Sequence, residues 1–147
     1  MSKAKIAFFS VSLLLAVSTL QAATIRIRVL DGRNGKPIAD EVLQIFINDQ
    51  NGASQLGTGK DGAATLEVPT CASLRIQSNH YMDCRLHKKG APRPIYSVDE
   101  IISLGIAAGN ICQRRLDFKA SRGEFLFFIR PYRWWEKIWL PIRAIGQ

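Results

Sequence analysis

The stretch Ile27–Ile47, IRVLDGRNGKPIADEVLQIFI, decides how the chain is read. An apolar run ends in Asp31, a turn follows with Gly32, Gly35 and Pro37, and a second apolar run begins at Val42. Glycine supplies the positive φ of tight turns and proline fixes φ, so the layout is strand, turn, strand. It is the layout of an edge of a small β-sandwich. Just upstream, Ile25, Ile27 and Val29 alternate with Thr24, Arg26 and Arg28, the period of two of a half-buried strand over Thr24–Leu30.

Working outward, Glu41–Asn48 (EVLQIFIN) predicts a second strand, with Val42 and Leu43 starting an apolar run broken by Gln44. Asp49–Gly62 reads as a polar loop with the turn dipeptides Asn51-Gly52 and Asp61-Gly62. AATLEV and ASLRIQS predict two short strands separated by Pro69. HKKGAPRP is a loop. Ser97 with Glu100 three residues on predicts a capping box, and Val98, Ile101, Ile102 and Leu104 then keep helical spacing up to Gly105. Gly123–Pro131, GEFLFFIRP, is continuously apolar and predicts a central strand that Pro131 ends. Short strands with turn chemistry between them make the class all-β in the main.

The opening residues MSKAKIAFFSVSLLLAVSTLQAA have a basic start at Lys3 and Lys5, an apolar run Ile6–Val17 and a small, polar close. That predicts a secretory signal peptide, Met1–Ala22, cut near Ala22 or Ala23, and a secreted or periplasmic product. The apolar run is too short to cross a bilayer comfortably, so no transmembrane helix is expected after cleavage. What remains of the 147 residues suits a single domain, Thr24–Pro131, and a tail, Tyr132–Gln147. The net charge of +8 is unevenly spread. Thr24–Cys84 holds six Lys/Arg against seven Asp/Glu, whereas Arg85–Gln147 holds twelve against five. In an exported protein a basic half points to an anionic membrane surface, an acidic polysaccharide or an acidic protein rather than nucleic acid.

Three cysteines in an oxidising compartment leave one odd. Cys84 and Cys112 flank the most irregular segment and are the expected pair, with Cys71–Cys84 as the competitor. The 28-position loop would restrict the unfolded chain by roughly 3 kcal/mol. Cys71, at the start of a strand, reads as a small buried residue. The spacings suit no zinc site and His80 and His87 add no ligand pair, so neither metal nor cofactor is expected.

The run VLDGRNGKPIADEVLQIFI, followed by TGKDGAATLEVP, resembles the transthyretin-like and carboxypeptidase-regulatory-like domains. The matching positions are Asp31, Gly35, Pro37, Thr58, Asp61 and Gly62. The resemblance spans Ile25 to about Ser78 and implies a transthyretin-like or Ig-like β-sandwich, here with one short inserted helix and a Trp-rich helical tail. It is nearly silent on activity. The enzymatic branch, the hydroxyisourate hydrolases, carries a His where this chain has Arg28, an arginine near the position of Gly57, and a Y-R-G-S ending where this chain ends RAIGQ. Arg28 keeps its proton at any working pH and cannot serve as a general base.

No other catalytic set is legible. Cys84 would be a nucleophile only if reduced, and Asp99 and Glu100 are adjacent and face apart on a helix. Asp31, Asp49 and Asp61 could gather round a calcium ion, but aspartates in turns have a commoner purpose. The protein therefore reads as a non-catalytic binding or structural module.

The tail RPYRWWEKIWLPIRAIGQ places Trp134, Trp135 and Trp139 within six positions. As a helix over Tyr132–Leu140, it would put Trp135, Ile138 and Trp139 on one face, with Arg133, Glu136 and Lys137 mainly opposite. Three readings follow: tryptophans packed over an open end of the domain, a membrane-surface helix, or a contact for a protein or sugar. The candidate contact surface is Arg114, Arg115, Arg130, Arg133, Trp134, Trp135, Lys137, Trp139 and Arg143. The run FIRPYRWWEK also resembles endings of small exported bacterial proteins that carry a regulatory-like domain.

Overall fold

A computed structural model describes residues 21–85 and 92–138. Residues 1–20, which hold most of the segment predicted as a signal peptide, and His87, Trp139 and Arg143 lie outside the described residues. The elements run in the order β1 (Ala22–Asp31), β2 (Val42–Ile47), β3 (Ser54–Gly57), β4 (Ala63–Pro69), β5 (Ser73–Ser78), β6 (Met82–Asp83), β7 (Tyr96–Ser97), α1 (Val98–Leu104), β8 (Ile106–Ala107), β9 (Glu124–Arg130) and α2 (Trp134–Ile138). The class is mainly β, in two sheets. The first has the order β4-β1-β9-β6 with β8 also paired to β9, and the second has the order β3-β2-β5-β7.

The alternation in β1 sends Ile25, Ile27 and Val29 inward, each fully buried. They meet Leu43 and Ile45 of β2, Leu74 and Ile76 of β5, and Phe125, Phe127 and Ile129 of β9 in one core shared by both sheets. In β2 the alternation places Leu43 and Ile45 inside and leaves Val42 37% exposed, so the apolar pair Val42-Leu43 is split between two faces. β1 is not an edge. It lies between β4, antiparallel, and β9, parallel, with Arg26 opposite Glu124 and Asp31 opposite Ile129.

The continuous apolar run of β9 has a specific cause. Its odd positions fill the shared core, and its even positions Leu126 and Phe128 form a second cluster with Leu30 and Cys84 on the other face of the sheet. The segment 108–122 covers that face, with Phe118 and Ala120 packed on it. Cys84 and Cys112 are joined by a disulfide across 28 positions, which ties this arm down. The turn after β1 is built to receive it. A Cβ on Gly32 would lie 2.6 Å from the Cys84 sulfur, and one on Gly35, at φ +73°, would lie 2.4 Å from Phe118 Cζ.

The turn motifs of the opening stretch also meet each other. The buried Thr58 hydroxyl donates to the Ile38 carbonyl (3.0 Å) and accepts from the Glu41 amide (3.0 Å). The Val29 amide donates to the Gly62 carbonyl, and a Cβ on Gly62 would lie 2.8 Å from Pro37.

A buried arginine links the two sheets. The Arg85 guanidinium, 1% exposed, donates to Asp83 of β6 at 2.7 Å and to the Ile76 carbonyl of β5 at 2.6 Å, and lies 4.5 Å from the Phe127 ring. Burial pulls its pKa down, but the hydrogen bond and charge of Asp83 outweigh that and raise it above its ordinary value.

Helix α1 ends at Gly105 as its spacing predicts, but Ser97 makes no side-chain cap. Ser97 is instead paired with Ser73 as part of β7, and the first-turn amide of Val98 donates to the Ala72 carbonyl (3.0 Å), which satisfies one of the helix's free donors. The polar loop Asp49–Gly62 contains the short edge strand β3, paired to β2. Cys71 is exposed, not buried, because it sits in the turn between β4 and β5, and its thiol is free.

Candidate functional site

Strand β9 ends at Arg130, and Pro131 turns the chain into α2. Arg130 donates through both terminal nitrogens to the two carboxylate oxygens of Glu136, at 2.8 and 2.7 Å. Glu136 also accepts the Arg133 amide at 2.7 Å, so one carboxylate both caps the short helix and fastens it to the strand. The hydrogen bond to Arg130 is the main reason the Glu136 carboxyl is held down at about 2. The same bond raises Arg130 above the ordinary arginine value.

On this fixed base Arg133 lies 5.1 Å over the Trp135 ring, and the rings of Trp134 and Trp135 stand at 89° with centroids 5.7 Å apart. Trp134 is 72% exposed and Trp135 43%. Neither ring is buried in the core, Trp134 least of all. Arg133 and Lys137 are exposed and form no ion pair among the described residues. β1 and β9 run parallel with Asp31 opposite Ile129, and the Gly32 amide donates to the Ile129 carbonyl (2.8 Å), so the turn bearing Arg33 and the approach to α2 leave the same end of the first sheet.

The predicted surface divides. Arg133, Trp134, Trp135 and Lys137 stand together on α2 and its approach. Arg130 belongs to the same stretch, but its guanidinium is occupied by Glu136. Arg114 and Arg115 are exposed on the disulfide-tied arm, where Arg114 lines a shallow hollow of about 290 Å³ with Asn110, Asp117 and Phe118. A second hollow, about 410 Å³, lies between the edges of β3 and β4 around the Arg26–Asp61 pair.

One cluster escapes sequence reading. Glu41, 3% exposed, accepts from the Ser78 hydroxyl at 2.5 Å and lies 3.3 Å from His80 Nδ1. The register that sets Leu43 opposite Ser78 brings them together, and no local motif announces that register. A nucleophilic triad needs the imidazole between hydroxyl and carboxylate. Here the carboxylate is in the middle and takes both partners, so the Ser78 proton points to Glu41 and not to His80. Cys84 is committed to its disulfide.

The remaining candidates are held by arginines. Asp31 takes the amide and guanidinium of Arg33, Asp49 pairs with Arg75 at 2.8 Å, and Asp61 pairs with Arg26 at 3.1 Å. Partial burial alone would raise the Asp31 pKa, but Arg33 brings it below the usual carboxylate value. Arg28 pairs with the buried Glu124 at 3.3 Å. Among the described residues no helix is long and apolar enough to cross a membrane. No protein-family model, curated protein or solved structure matches the chain.

Proposed function

We propose that the protein is an exported, non-catalytic β-sandwich module, of the transthyretin-like or carboxypeptidase-regulatory-like kind, that contacts an acidic component of the cell envelope. The contact is made by the end bearing Arg133, Trp134, Trp135 and Lys137. One observation carries this reading: two adjacent tryptophans stand out of the body on a helix that Arg130 and Glu136 fasten to the central strand. Exposed tryptophan costs hydration free energy, and a rigid mount lowers the ordering cost of using it. The basic second half of the chain supports an acidic partner, and the leader Met1–Ala22 supports export.

A non-catalytic role is supported by what the reactive groups are already doing. The hydrolase general-base position holds Arg28, paired to Glu124, and the Ser78, Glu41 and His80 cluster is ordered as a structural hydrogen-bond hub. The test is retention of the exported protein on washed envelope fragments, wild type against Arg133→Ala/Trp135→Ala. The variant should be released at least about ten-fold more readily, as expected when an aromatic and basic anchor is lost. Equal retention overturns the assignment of the surface.

A further inference from the structure

We infer that the partner of this end is the surface of an anionic lipid bilayer, an inference that rests on the contact-surface reading above. Three features distinguish a lipid surface from a sugar or a protein groove. The Trp134 and Trp135 rings stand at 89° to one another, which makes a ridge and not a platform. A pyranose stacks on a flat, free aromatic face, whereas here Arg133 occupies a face of Trp135 at 5.1 Å.

The exposures of 72% and 43% place the ridge proud of the body, suited to entering a soft interface and not to receiving a small ligand. Indoles settle at the headgroup level, where the ring is apolar and the N–H is wet. Lastly, the flanking charge is of one sign. Arg133 and Lys137 have no carboxylate of their own among the described residues, because Glu136 is consumed by Arg130. Each such cation is attracted to an anionic leaflet, and the two indoles add apolar burial.

The bond between Arg130 and Glu136 gives the device its mechanical sense. α2 has only five described residues, too few to be a stable helix alone. Anchored to β9 at one end, it presents Trp134 and Trp135 already ordered, and insertion need not fold it. The protein would then lie with the loop end of the first sheet, Arg33 included, toward the lipid.

The probe is flotation of the exported protein with vesicles of phosphatidylcholine alone and of phosphatidylcholine mixed with phosphatidylglycerol, at low and high salt. Binding is expected only with the anionic vesicles and is expected to fall as salt rises. Trp134→Ala/Trp135→Ala and Arg133→Glu/Lys137→Glu should each reduce partitioning by about ten-fold or more. All four side chains are on the surface, and an unchanged melting temperature shows that the variants are folded.

Equal binding to both vesicle types, or undiminished binding of the tryptophan variant, overturns the inference. A wild type that ignores vesicles but stays on envelope fragments through Trp135 and Arg133 overturns the lipid partner and leaves the contact surface standing. Failure on both supports overturns both readings.

Discussion

Both carboxylate oxygens of Glu136 are gripped by the guanidinium of Arg130 six residues earlier, at 2.7 and 2.8 Å, across the proline that ends the central strand. The Arg133 amide shares the same carboxylate. This pair decides whether the tryptophan end is a mounted feature or a loose one.

Glu136→Gln should therefore free α2 without unfolding the sheets. The expected loss in global stability is no more than about 1 kcal/mol, because the pair is partly exposed and screened. The local effect should be larger, read as faster hydrogen exchange at the α2 amides. Acid should act like the substitution. The Glu136 carboxyl titrates at about 2 in the folded chain, below its ordinary 4.5. Its contribution is thus present in full above the ordinary value and is lost as pH falls from there toward about 2. Measured against the intrinsic exchange rate at each pH, protection of these amides should fall over that window in the wild type and stay flat in the Gln variant.

Cys84→Ser/Cys112→Ser should lower stability by about 3 kcal/mol in denaturant melts. It should also loosen the arm over Leu30, Leu126 and Phe128 and give binding of an apolar dye. Cys71→Ser, at an exposed turn, should stay within about 0.5 kcal/mol of wild type. A Cys71 that resists alkylation in the native protein would contradict the pairing.

Gly35→Ala should cost about 1–3 kcal/mol, since the new methyl meets Phe118 and the backbone is at positive φ. Gly52→Ala is the control. A Cβ there meets nothing within 4 Å and the change should be near neutral. Equal melting temperatures for the two variants would mean that the turn does not seat the arm.

Asp83→Asn leaves Arg85 charged and 1% exposed without its counter-ion, and should cost about 3–5 kcal/mol. Asp83→Asn/Arg85→Met should recover much of that, because the buried charge is gone. A double-mutant cycle on the melting free energies measures the coupling, and simple additivity would remove Arg85 as the link between the sheets.

How much of this was legible depended on whether the signal was local. The alternation of Ile25, Ile27 and Val29 is enforced by the pleat, and the run from Phe125 to Ile129 by burial on both faces, so both strands can be read directly. The end of α1 at Gly105 was readable for the same reason. Strand β3 was not, because Ser54–Gly57 is an edge with only Leu56 to bury and its pairing comes from β2. The capping box read at Ser97 is absent, and Ser97 pairs with Ser73 of β5, a partner that no local window contains. Glu41, Ser78 and His80 meet only through the β2–β5 register, which no window of sequence contains. The tryptophans were legible as a cluster but not as exposed, since exposure depends on how the chain leaves Pro131 and on the Arg130–Glu136 pair that holds α2.

One consequence of the parallel pairing of β1 with β9 concerns time. The first described strand has the last as its neighbour, and Phe125, Phe127 and Ile129 of that last strand complete the shared core. A growing polypeptide can pair β1 with β4 and β2 with β5, but it has no closed interior until Ile129 has left the ribosome. Contacts of such long sequence separation form late. The nascent protein should therefore stay without a closed core throughout its synthesis, which is the form that the proposed export would require. A product broken off before Glu124 should carry the bare edge of β1 and be cleared or aggregate.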